Sequence, residues 1–210
     1  MSIKRTIGAA FAALLLAGSA HAASLSIVGG TPTALPADYN PAPPVPGTGP
    51  GTMVLSFAGG EITGGGLLLD VATKLTYTFL GKQANAQNYA VAIPGGETLS
   101  NKGPVGASIS ANDDGGFVDF LFRTLSGNPP QQSDIVNGVG VSGPLGSKLN
   151  VAFLLESSRS ALAFFGDGRG DVDHDDMVIR ISVVPLPAGG LLLLTALGGF
   201  VAVRRRRKTS

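Results

Sequence analysis

The stretch Lys74-Leu75-Thr76-Tyr77-Thr78-Phe79 decides the fold. Leu75, Tyr77 and Phe79 alternate with Lys74, Thr76 and Thr78, so a strand here turns one face inward and the other to water. Three more rows repeat the pattern: Val118, Phe120 and Phe122; Val151, Phe153 and Leu155; Met177, Ile179, Ile181 and Val183. These four rows are the expected core. Strand signals recur about every eight to twelve residues, separated by Gly, Pro, Asn and Asp clusters, and no stretch between residues 24 and 184 keeps a helical period. The spacing predicts an all-β fold, an antiparallel β-sandwich of jelly-roll-like form over residues 53–184.

Composition points the same way. Thirty-one Gly and 14 Pro with no Trp favour many turns between short strands. The chain has no Cys, so its stability rests on packing, on bound ions, or on both. Ahead of the domain, residues 23–52 form a proline-rich lead-in, whose part TPTALPADYNPAPPVPGTGPG (31–51) favours extended, polyproline-like backbone. It reads either as a linker or as a segment that hugs the domain surface, and less well as a docking ligand for an aromatic groove.

The two ends differ from the body. Lys4 and Arg5 precede an apolar block, Ile7 to Ala17, and then the small residues around Ala20 and Ala22. This is the order of a secretory signal over residues 1–22, a signal helix cut after Ala22, with Ala20 and Ala22 supplying the small side chains that signal peptidase admits. At the C-terminus, Ala188 to Val203 carries no charge and stops at Arg204, Arg205, Arg206, Arg207 and Lys208. At about 1.5 Å per residue such a transmembrane helix (188–203) reaches about 24 Å, a short span of the inner membrane, and the basic end (204–208) holds that side in the cytoplasm and the domain outside. A nucleic-acid reading of the basic cluster competes with this one. Residues 23–184 contain eight basic residues against 14 acidic ones, a net charge of −6, and so lack the basic surface that phosphate binding draws on.

The order Val184-Pro185-Leu186-Pro187-Ala188, Leu-rich span, Arg cluster resembles the PEP-CTERM sorting signal in its VPLPA-CTERM variant, over residues 185–210 with Val184. Leu186 stands where the name-giving variant has Glu, which the VPLPA subgroup accommodates. The resemblance implies processing by an exosortase and export to the cell surface or beyond, commonly in bacteria that make exopolysaccharide. Independently of it, Pro185 and Pro187 forbid regular helix and keep the junction extended.

The densest chemistry lies between Asp167 and Asp176. Asp167, Asp171, Asp173, Asp175 and Asp176 put five carboxylates within ten residues. Unpaired, they repel one another, and a hard divalent cation such as calcium removes the conflict. Asp171, Asp173 and Asp175 at spacing two could turn to one side of a bent loop. An EF-hand does not fit, because Asp176 stands where its glycine belongs and Ser182 where its closing acid belongs. A solvated acidic hairpin turn is the other reading of this loop. Residues 173–181 also resemble a segment that often precedes VPLPA-CTERM tails, which implies a shared envelope domain and no particular activity. Asp113 and Asp114 read as a tight turn, or as further ligands of the same ion.

Beyond the signal, His174 is the one histidine, so a Ser–His nucleophile would have to run through it, and a transition-metal site would have no second imidazole and no thiolate. No catalytic residue is expected. The functional expectation is an exported, C-terminally sorted envelope or matrix protein associated with exopolysaccharide. A calcium-dependent carbohydrate-binding module and, more remotely, a glycoside-processing enzyme are its alternatives.

Overall fold

The computed structural model describes residues 22–169 and 173–185. These residues are all-β, and their only helical pieces are two 3₁₀ turns at Gly59–Ile62 and Gly146–Lys148. Every pairing between named strands is antiparallel. In chain order the strands are β1 (Leu25–Val28), β2 (Thr31–Ala34), β3 (Met53–Ala58), β4 (Gly66–Leu69), β5 (Thr73–Gly81), β6 (Asn88–Ala92), β7 (Thr98–Ser100) and β8 (Ser108–Asp113). They continue as β9 (Gly116–Phe117), β10 (Phe120–Ser126), β11 (Gln131–Val136), β12 (Gly140–Ser142), β13 (Asn150–Ser157), β14 (Ser160–Gly166) and β15 (Met177–Val183).

Two sheets form the body. One has seven strands in the order β2-β3-β13-β14-β15-β5-β8, and the other has five, β12-β11-β10-β6-β7. Alternation along β5 sends Leu75, Tyr77 and Phe79 inward, where they join Ile179 and Ile181 of β15, Phe165 of β14 and Phe153 of β13. From the facing sheet come Ala90, Ala92, Phe120, Phe122 and Ile135. Aromatic rings join the layers: Tyr77 and Phe120 lie 6.2 Å apart, Phe120 meets Phe153 edge-on at 6.1 Å, and Phe122 stacks on Phe165 at 4.8 Å. Such pairs add about 0.5–1.5 kcal/mol each to the area they bury.

A three-stranded sheet, β1-β4-β9, closes one flank. Buried Asn137 fastens it: its Oδ1 accepts from the Leu67 amide at 2.9 Å, and its Nδ2 donates to the carbonyls of Leu67 and Val118 at 2.8 and 2.9 Å. Position 66 must be glycine on two counts. Its φ is +127°, and a Cβ there would stand 2.1 Å from Asn137 Oδ1.

Of the four sequence rows, all members but one are buried. Leu155 is 39% exposed. Its strand slips register between Leu155 and Ser157, and pairing with β3 ends at Phe153↔Leu55, so Leu155 sits on the rim beyond the facing sheet.

The seven-stranded sheet is also apolar on its outer face, through Val54, Ala152, Leu162, Phe164 and Val178. The lead-in covers it. Leu35, Tyr39 and Val45 are buried there, with the Tyr39 ring edge-on to Phe164 at 6.0 Å and its hydroxyl 3.1 Å from Thr48 Oγ1. Residues 35–45 hug the domain surface, but the expected boundary at residue 53 does not hold as drawn: β1 and β2 fall within residues 23–52 and pair with β4 and β3, so the first part of the lead-in is itself sheet. Prolines suit the task, since they lie on a sheet face without bringing an N–H that needs a partner. Replacing Tyr39 by Ala should therefore cost about 3 kcal/mol or more in denaturant unfolding, as for a buried core aromatic. A change under about 0.5 kcal/mol would show that the segment is an independent linker.

Candidate functional site

The acidic loop joins the central strands β14 and β15. At its base Gly166 pairs with Asn150, and a Cβ at 166 would meet Asn150 Oδ1 at 2.4 Å, so any larger residue here would displace the buried Asn150 side chain. The Asp167 amide then donates to Asp176 Oδ2 at 2.6 Å and pins the two ends of the loop together. Asp167 itself is buried. Its carboxylate accepts from the Arg169 amide at 3.0 Å and from Asn88 Nδ2 at 3.3 Å, which spends it on bracing the loop against β6.

Asp173, Asp175 and Asp176 are 1%, 0% and 8% exposed, and each offers a carboxylate oxygen within 4.8 Å of the others. The three form a buried group that could hold a metal ion. Two unit charges at 4.8 Å cost about 3 kcal/mol at an effective dielectric constant of 20, so the trio is expensive unless its charge is met. Part of the answer is in the surrounding donors. The Asn40 amide of the lead-in donates to Asp175 Oδ2 at 2.6 Å, and the Gln83 amide donates to the Asp175 carbonyl at 2.7 Å. With its nitrogen turned inward, the Gln83 side chain donates to Asp173 Oδ2 at 3.2 Å and Asp175 Oδ1 at 3.3 Å.

Of the five acids expected to share one ion, the structure brings Asp173, Asp175 and Asp176 together. Asp167 touches the group through its main chain, and Asp171 lies outside the described residues. The burial of the trio also departs from a solvated turn. Asp113 forms the tight turn, accepting from the amides of Gly115 at 2.9 Å and Asp119 at 2.8 Å. It is not a further ligand. Asp113 pairs with Thr73 at the start of β5, whereas the acidic loop abuts Gly81 at the end, eight residues or about 27 Å away.

His174 adopts the left-handed backbone at φ +61° and is 2% exposed. Its Nε2 lies 3.1 Å from Ser56 Oγ, while its buried Nδ1 has no hydrogen-bond partner. Burial pushes its pKa down to about 4, so the ring is neutral near pH 7. This is a Ser–His contact whose imidazole is buried and lacks the acid that would orient it from behind. Sequence reasoning missed Ser56, Asn40 and Gln83. Each is a polar residue whose place in the site comes from contacts across 90 or more positions of chain, and nothing in its local pattern marks it.

At the other end of β15, the Val184 amide donates to the Lys74 carbonyl at 2.9 Å and Pro185 is exposed. Ala22, exposed, begins the described chain. Ala20, Leu186, Pro187, Ala188, the span 188–203 and the cluster Arg204, Arg205, Arg206, Arg207 and Lys208 lie outside the described residues. Among the described residues no helix is long and apolar enough to cross a membrane. No protein-family model matches the chain, and neither a curated protein nor a solved structure is similar to it.

Proposed function

We propose that the chain is an exported, C-terminally sorted envelope or matrix protein whose β-sandwich works without catalysis, in association with exopolysaccharide, and is braced by calcium at its acidic turn. The observation that carries the calcium site is the buried trio Asp173, Asp175 and Asp176. Ligands on opposite sides of a calcium ion stand about 4.6–5.2 Å apart, so three oxygens within 4.8 Å suit its coordination sphere. Gln83 can serve in both states. With its nitrogen inward it donates to the carboxylates, and with its oxygen inward it adds a fourth oxygen ligand at the same place. Main-chain carbonyls and water would complete a sphere of six to eight.

Sorting is supported by the tail's order of motif, apolar span and basic end, and by the exit of the chain. Among the described residues Val184 is the last held by a main-chain bond to the sheet, and Pro185 is already exposed, which favours access of a peptidase to the junction without unfolding of the domain. A calcium-dependent carbohydrate-binding module is the second reading, favoured by the same trio lying at a sheet end beside the lead-in. The carboxylates are buried side by side and do not straddle a cleft at the separation glycoside hydrolysis uses, so the trio favours an ion over a catalytic pair.

Two measurements check these readings. Calcium at 100 times its dissociation constant should stabilise residues 22–185 by about 2.7 kcal/mol, a rise of roughly 5–10 °C in melting temperature over chelator, and the isosteric double variant Asp173→Asn, Asp175→Asn should lose the rise. An equal rise in both proteins, or none in either, would remove the ion. For sorting, the tagged chain expressed in an exosortase-bearing host should appear outside the cytoplasm with its C-terminus shortened, and should keep its full mass when the exosortase is deleted. A full-length chain in the cytoplasm of both strains would refute the sorted-envelope reading.

A further inference from the structure

We propose that the rim from which the tail leaves is a lipid-docking face, seated on the bilayer through an apolar groove between β3 and β13. The inference rests on residues 188–203 spanning the membrane.

The groove follows from the ladder. Pairing of β13 with β3 runs from Asn150↔Ala58 to Phe153↔Leu55, and β13 slips register beyond Leu155. Past that point the strands part and leave a groove of about 290 Å³ lined by Ile27, Pro32, Met53, Leu55, Phe153 and Leu155. Met53 is 56% and Leu155 39% exposed, an apolar surface that a water-facing rim does not need.

Chain length sets what meets it. Among the described residues the last main-chain bonds are Val183 N to Arg159 O and Val184 N to Lys74 O, both at 2.9 Å, and Arg159 and Lys74 are exposed. Across adjacent strands the rim therefore reads groove, Arg159, tail exit, Lys74, over four strand spacings or about 19 Å. From Val184 to Ala188 the chain can extend about 14 Å at most, while the headgroup layer on one side of a bilayer is about 5–8 Å thick. A tail that enters the membrane at Ala188 thus holds this rim at the headgroups. Which corner touches follows from charge. Exposed Asp70, Asp114 and Asp119 crowd the β5–β8 side of the rim, and carboxylates are costly to strip of water, so the molecule tilts onto the apolar groove side.

The chain contains no Trp, so a single introduced Trp reports its own surroundings. The full chain carrying Met53→Trp or Leu155→Trp, reconstituted in phosphatidylcholine vesicles, should show blue-shifted emission that brominated acyl chains quench at least twofold. Asn85→Trp, exposed at the opposite end, should show neither. An unchanged unfolding curve certifies each variant. Absence of quenching at 53 and 155 in chain that resists carbonate extraction would overturn the docking and leave the anchor standing. Chain released by carbonate would overturn the anchor and the docking with it. A blue shift that needs no lipid and grows with protein concentration would assign the groove to a second copy and overturn the lipid reading.

Discussion

The structure depends on one constraint: the seven-stranded sheet is apolar on both faces and must be covered twice. The central strand β14 shows why, since Ala161, Leu162, Ala163, Phe164 and Phe165 are all buried although neighbours point to opposite sides. The facing five-stranded sheet takes Ala161, Ala163 and Phe165, and the lead-in takes Leu162 and Phe164. Each large side chain so buried contributes roughly 1.5–3 kcal/mol, which offsets the cost of ordering a long irregular segment of prolines and glycines. In a chain with no cysteine, this second layer does what a disulfide often does in exported domains: it ties a remote segment to the core.

The same covering brings the acidic turn into the interior. Because the lead-in crosses the outer face near the start of β15, its Asn40 amide reaches Asp175, and the Ala42–Lys82 bridge holds the neighbouring backbone. Three carboxylates that would otherwise be solvated become buried beside one another. Their repulsion then acts on the lead-in as well as on the loop, since Asp175 is bonded to both Asn40 and Gln83. A cation at this point would stabilise the contact between the segment and the sheet, so ion binding and the outer layer are coupled through one side chain.

Much of the fold was legible in the sequence where one face meets the core and the other water. Leu75, Tyr77 and Phe79 alternate with polar residues, and so declare a strand and its inward face. Residues 161–165 do not alternate, because both of their faces are buried, and a short continuous apolar run is ambiguous between strand and helix. The most central strand is therefore the least readable one. Leu155 fails for the opposite reason: it keeps the alternation, but a register slip and the end of the facing sheet remove the core beneath it. At the site, the spacing of Asp173 and Asp175 was informative because both sit in one turn. Asn40 and Gln83 were invisible because what recruits them is the course of the lead-in, a tertiary event.

The β14–β15 hairpin also sets the polarity of the molecule. Its turn carries the acidic trio, and its last strand ends at the exit of the tail, so the seven residues of β15 separate the two by about 24 Å. Antiparallel pairing repeats that division in the neighbours: β5 starts beside the exit and ends beside the trio, and β13 starts at the trio's end and finishes at the exit rim. A change at the trio therefore reaches the tail exit only along the length of the sheet, through the ladders of β15 with β14 and β5.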